Sequence, residues 1–135
     1  MQIPVFTVLG LLSFHIKAFE ITIYNDINQC EANDESMYRI ISGASNGTCY
    51  TFDDDMPGTD CSQYNKGEGE GPTGCTTESL LPVSVHQKNG NRPCTFYFEG
   101  GCQGTSYQTA EWCVDTGVVG IPHFGSFSCV VCPLS

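Results

Sequence analysis

The sequence predicts a small all-β domain, mainly antiparallel, held by disulfides, with at most one short helix and a Greek-key or crystallin-like sandwich as its form. Three observations lead there. Apolar and polar residues alternate with period two in several segments, the pattern of strands with one face buried. Clusters of Gly, Pro, Asn and Asp separate those segments. Nine cysteines lie in 135 residues, a density that marks a disulfide scaffold.

The chain opens with an apolar run over residues 5–14, followed by His15-Ile16-Lys17-Ala18. Ten residues rising ~1.5 Å each span about half a bilayer core, too little to cross it. The run has the length of a signal-peptide core, with Ile16 and Ala18 at the cleavage positions, although Met1 to Pro4 carry no Lys or Arg. Residues 1–18 are therefore expected to be a signal peptide, and 19–135 a single secreted, extracellular domain. Phe19, Ile21 and Ile23 then alternate with Glu20, Thr22 and Tyr24 as a first strand, and residues 31–38 form the one expected helix. Residues 38–41 and 49–52 are further strands, with turns at 43–47 and 56–60. Residues 64–74, rich in Gly and Glu, are expected to be a flexible exposed loop pinned by Cys61 and Cys75. Val83 and Val85 alternate with Ser84 and His86, and Cys94, Phe96 and Phe98 with Thr95 and Tyr97. Turns at 89–91 and 100–101, a strand at 117–121, and an alternating strand of Phe127, Cys129 and Val131 complete the series. Residues 21–30 echo residues 94–102 with one gap, a likeness that chance alignment of short strands produces as readily as a repeat.

Cleavage after Ala18 removes Lys17 and leaves four basic residues (Arg39, Lys66, Lys88, Arg92) against fifteen acidic ones, a formal charge of −11. That sign excludes nucleic acid and anionic membrane surfaces as partners. The cysteines are Cys30, Cys49, Cys61, Cys75, Cys94, Cys102, Cys113, Cys129 and Cys132. The expected bridge is Cys102 with Cys113, closing a hairpin-like segment, and the rest of the connectivity stays open. The odd number leaves one thiol unpaired or joining two chains in a disulfide-linked dimer, and Cys132 is the candidate. Cys129-Val-Val-Cys132 has neither the second CxxC of a zinc site nor the βαβ setting of a redox motif.

Signal peptide, size, acidity and cysteine density together resemble the small secreted cysteine-rich, effector-like proteins of filamentous fungi. Residues 21–26 (Ile-Thr-Ile-Tyr-Asn-Asp) and 97–104 (Tyr-Phe-Glu-Gly-Gly-Cys-Gln-Gly), with Gly125-Ser-Phe127 as a closing strand, resemble βγ-crystallin-like and killer-toxin-like secreted domains. That resemblance implies an aromatic–glycine hairpin over a Greek key. Cys102 stands where the second aromatic belongs, and the calcium signature is missing after Asn25-Asp26, so calcium binding is not carried over.

Among candidate sites, Asp53-Asp54-Asp55 with Asp60 lacks the spaced pattern of a calcium loop and reads as a solvated turn. His86, His123, Glu99, Arg92 and Glu111 supply acids, bases and a cation, but in no motif that joins them. Asn46-Gly-Thr48 is an N-glycosylation sequon in an expected surface turn. Tyr97, Tyr107 and Trp112 offer a contact surface or, more commonly in such domains, cover for the bridges. The expectation is a non-enzymatic interaction protein, effector-like and virulence-associated, that binds an extracellular host or competitor protein or glycan without catalytic residue, metal or cofactor. A small secreted ribonuclease- or glycosidase-like hydrolase and a killer-type antimicrobial toxin are the alternatives.

Overall fold

The structure is a computed structural model that describes residues 18–27, 29–67, 69–88, 93–109, 113–119 and 122–130. The described strands make two antiparallel sheets. In chain order they are β1 (Ala18–Tyr24), β2 (Tyr38–Ala44), β3 (Asn46–Thr51), β4 (Asp60–Asn65), β5 (Glu70–Gly74), β6 (Ser84–Lys88), β7 (Cys94–Glu99), β8 (Gln103–Thr109), β9 (Cys113–Asp115) and β10 (Ser126–Val130). The larger sheet runs β5-β4-β2-β1-β6-β9 and the smaller β3-β10-β7-β8. The mainly antiparallel, disulfide-rich β architecture is the one the alternation predicts.

The core lies where the inward rows of the two sheets meet. Phe19, Ile21 and Ile23 of β1, Ile41 of β2 and Val85 of β6 are buried from the larger sheet. Phe96 of β7, Tyr50 of β3, and Phe127 and Cys129 of β10 face them from the smaller. The Phe127 ring lies 5.5 Å from that of Phe19 across the sheets, and 5.4, 5.2 and 5.8 Å from those of Tyr50, Phe52 and Phe96. Fully buried aromatics bring the largest apolar areas to a domain of this size. Gly43 makes the Phe19 position possible, since a Cβ there would stand 3.1 Å from the ring. β2 accordingly runs on to Ala44, through part of the turn expected at 43–47. Buried Gln87 ties β6 to the smaller sheet, its Oε1 accepting from the Cys94 N–H at 2.9 Å and the Thr109 hydroxyl at 3.1 Å.

Four bridges use eight of the nine cysteines: Cys30–Cys113, Cys49–Cys102, Cys61–Cys75 and Cys94–Cys129. Cys94 and Cys129 are register partners on the inward faces of β7 and β10, so their bridge is buried in the core. The expected Cys102–Cys113 bridge is corrected. Cys102 sits in the 3₁₀ turn Gly100–Cys102 beside β3 of the smaller sheet, while Cys113 begins β9 at the edge of the larger. The bridges present are all intramolecular. Cys132, Trp112, Arg92, Glu111, the turn at 89–91 and residues 1–17 lie outside the described residues.

Three local expectations are also corrected. Residues 31–38 are not helical before β2, because Asn33 and Ser36 hydrogen-bond to nearby backbone: the Glu35 N–H donates to Asn33 Oδ1 and the Asn33 N–H to Ser36 Oγ, both at 2.8 Å. Tyr64 and Asn65 belong to β4, and Glu70–Gly74 is the fully exposed edge strand β5, not loop. The reversal uses Lys66 and Gly67 at φ of 54° and 64°. A Cβ on Gly67 would meet the Asn33 carbonyl oxygen at 2.6 Å, so only glycine fits. Of the strand expected at 117–121, residues 117–119 belong instead to a single helical turn, α1 (Thr116–Val119), and 120–121 lie outside the described residues.

A cleft over a buried arginine

At the end of the larger sheet its inward face forms the floor of a cleft of about 420 Å³. Ile23, Arg39, Ile41 and the Cys61–Cys75 bridge contribute to that floor. Residues 52–56 make one wall and residues 76–78 with Leu80 the other. The walls are joined through Asp53, whose carboxylate accepts from the Ser79 hydroxyl and, at 3.0 Å, from the Leu80 N–H. Asp53 holds φ at 71°, and those two bonds anchor it in that conformation. The first wall is braced by Thr59, whose hydroxyl donates to the Met56 carbonyl at 2.7 Å.

Arg39 faces inward because it shares the phase of Ile41 along β2, and only 7 % of it is exposed. Its Nε donates to Gln63 Oε1 at 2.9 Å. Its Nη2 donates to the Glu78 carbonyl at 2.6 Å and the Thr76 carbonyl at 3.3 Å. Gln63 Oε1 also accepts from the Thr76 N–H at 3.3 Å, so one buried amide and one buried guanidinium hold the second wall. Burial pushes the Arg39 pKa below its ordinary value, and the charges of Asp53 and Glu78 act in the opposite direction. No carboxylate among the described residues lies within ion-pair distance of the guanidinium. Nη1 has no acceptor among the described residues, and it is not among the polar atoms shut away from solvent without a partner. Arg39 thus lines the cleft together with the exposed residues Asp54, Asp55 and Glu78.

The acids and bases noted in the sequence are not brought to this place. Neither His86, His123 nor Glu99 lines the cleft. His86 lies in β6 paired with Thr22 and Cys113, and His123 has Nδ1 3.1 Å from the Phe124 carbonyl oxygen. Glu99 ends β7 at the turn of the β7–β8 hairpin. Asp53, Asp54 and Asp55 do line the cleft, but Asp60 starts β4 and does not. Tyr107 stacks on Phe98 at 5.8 Å and packs against the core, and Tyr97 is half-buried. Asn46 is exposed at the start of β3, its Oδ1 accepting from the Thr48 N–H at 3.0 Å. Among the described residues no group of three or more His, Cys, Asp or Glu could hold a metal ion. Arg39, Gln63 and the 76–78 wall escaped the sequence reading. No local signal marks Arg39, because Tyr38 and Ile40 make the opposite phase of β2 equally apolar and leave its inward face undecided by alternation.

A family model described as "Secreted LysM effector LysM14, C-terminal domain" matches residues 19–129. Searches of curated proteins and of solved structures returned no match.

Proposed function

The chain belongs to the family of the secreted LysM effector C-terminal domain, and from that premise we propose that it is a non-enzymatic binding domain whose cleft over Arg39 engages an extracellular target. Secretion agrees with the resemblance to small cysteine-rich effector-like proteins. Removal of residues 1–18 as a signal peptide is part of the proposal, supported by the apolar run at 5–14 and by a family match that begins at Phe19.

The observation that carries the reading is the cleft itself. It combines apolar lining residues, a buried cation and exposed carboxylate acceptors, the composition of a ligand site with few oriented polar groups. Its carboxylates Asp53, Asp54, Asp55 and Glu78 outnumber the one guanidinium, so the cleft disfavours an anion. A neutral, hydroxyl-rich glycan satisfies both sets of groups and lays its C–H faces on the floor. A virulence-associated role would follow from occupying such a target rather than from turnover.

The test is calorimetric titration of the secreted protein with soluble neutral polysaccharides and with extracellular proteins. Saturable glycan binding, weakened at least about tenfold by Asp54→Lys with Asp55→Lys, supports the proposal. Turnover of RNA or a glycan that disappears in Glu99→Gln or His123→Ala would contradict it.

A further inference from the structure

The sequon Asn46-Gly47-Thr48 opens β3, and all three residues are exposed. Asn46 Oδ1 accepts from the Thr48 N–H at 3.0 Å, while no hydrogen bond among the described residues engages its Nδ2. What lies beside that nitrogen is set by the pairing of β3 with β10. Ser128 pairs with Cys49 and Val130 with Asn46, so three steps along β3 answer two along β10. The extra residue makes a bulge, and Gly47, at φ of 82°, supplies a backbone conformation that suits it. Simple alternation would put Asn46 in the inward phase of Tyr50. The bulge reverses that phase, because register partners point to one side of a sheet and Asn46 now pairs with Val130.

That side is the outer face of the smaller sheet. Phe127 and Cys129 are buried inward, and Ser128 and Val130 alternate with them. Val130 is 44 % exposed. A Cβ on Gly47 would stand 3.7 Å from Val130 Cγ1, so the valine lies against the middle residue of the sequon. Next to it runs a row of register partners, Cys49, Ser128, Thr95 and Gln108, none of them charged. We propose that Asn46 carries an N-linked glycan whose first sugar packs on Val130, with the following sugars along Ser128, Thr95 and Gln108.

The transfer forms a bond from Asn46 Nδ2 to C1 of the sugar and breaks the bond from C1 to a polyprenyl diphosphate donor. The diphosphate leaves with the electron pair, and one amide proton passes to the transferring enzyme. The sequence supplies the acceptor, and the bulge supplies the seat. A sugar ring carries C–H groups on its faces and hydroxyls at its rim. Val130 meets the first by apolar contact, and the hydroxyl and amide side chains of the row meet the second by hydrogen bonds. Attachment at Asn46 makes these contacts intramolecular, so contacts too weak to hold a free sugar are occupied. None of these residues lines the cleft over Arg39, so the inference stands apart from the binding reading.

The test uses protein secreted from a glycosylating eukaryotic host, with its valine methyl groups ¹³C-labelled. Peptide mass analysis should place a glycan on Asn46, and nuclear Overhauser contacts should join the Val130 methyls to protons of the first sugar. Val130→Ser separates seat from acceptor. The glycan should still be attached, but its stabilisation should shrink. Relative to Asn46→Gln, the glycan should raise the thermal midpoint by about 2–5 °C in the parent protein and by less than about half as much in Val130→Ser. An unmodified Asn46 overturns the proposal. A glycan without contact to Val130 overturns it too, as does one that stabilises Val130→Ser as much as the parent.

Discussion

The bridges differ in the lengths of chain they close, and that difference has a measurable consequence. Cys30–Cys113 spans 83 residues and Cys61–Cys75 spans 14. If a bridge stabilises by restricting the unfolded chain, its contribution grows with the logarithm of the closed loop; with Cys49–Cys102 intact the ring closed by Cys30–Cys113 shortens to about 30 residues, worth about 3.7 kcal/mol against about 3 kcal/mol for the short loop. Replacing both members of each pair by Ala therefore separates the two by about 0.7 kcal/mol. The long bridge joins the 25–37 connection to the edge strand β9, and the short one joins β4 to the chain just after β5. Guanidinium titration of Cys30→Ala/Cys113→Ala and of Cys61→Ala/Cys75→Ala, without reductant, gives both values by linear extrapolation. The long-loop variant should be the less stable. If losing the short bridge destabilises as much or more, chain entropy is not what ranks these bridges, and native packing around the Cys61–Cys75 floor of the cleft must decide instead.

Other consequences are open to direct measurement. Arg39→Met keeps the length of the side chain but leaves the carbonyls of Thr76 and Glu78 without their donor, and should cost about 2–4 kcal/mol in the same titration; a neutral result would mean that water replaces the guanidinium there. Tyr24 has its pKa raised, chiefly by burial and then by the neighbouring Tyr38, Asp26 and Glu31. Its folded form holds the proton more tightly than the unfolded chain, so its contribution is fully present below the ordinary tyrosine pKa of 10.0 and is lost as pH rises through the folded value. Tyr24→Phe should flatten the alkaline decline in stability, measured on protein treated with a thiol-alkylating reagent. At Asn46, the exposed position and the Oδ1 bond to the Thr48 N–H support N-glycosylation, so the secreted protein should lose a glycan mass in Asn46→Gln and on amidase treatment; an unmodified intact mass would contradict it.

Period-two alternation made the core strands legible, because a strand with one buried face must place its apolar residues at every second position. Phe19, Ile21 and Ile23 behave in this way, and so do Cys94 and Phe96. The inward phase of Cys94 and Cys129 was visible too, but their bridge required knowing that β7 and β10 are neighbours, which no local pattern encodes. β5 was hidden for a different reason. Its Gly- and Glu-rich sequence has little β propensity, and its order depends on pairing with β4 and on the Cys61–Cys75 bridge. Residues 31–38 were misread because side-chain bonds from Asn33 and Ser36 outcompete a helix too short to stabilise itself. The cleft was the least legible feature. The partners of Arg39 lie 24, 37 and 39 residues away, so its environment exists only after β2, β4 and the 76–78 wall have come together.

The most direct test of the binding account is amide chemical-shift mapping of the ¹⁵N-labelled secreted protein during titration with soluble neutral oligosaccharides. The account predicts saturable shifts concentrated at residues 53–55 and 76–78 and at Arg39, with the glycan recovered uncleaved. Saturable shifts that leave the cleft untouched would contradict the account, as would cleavage of the glycan during the titration.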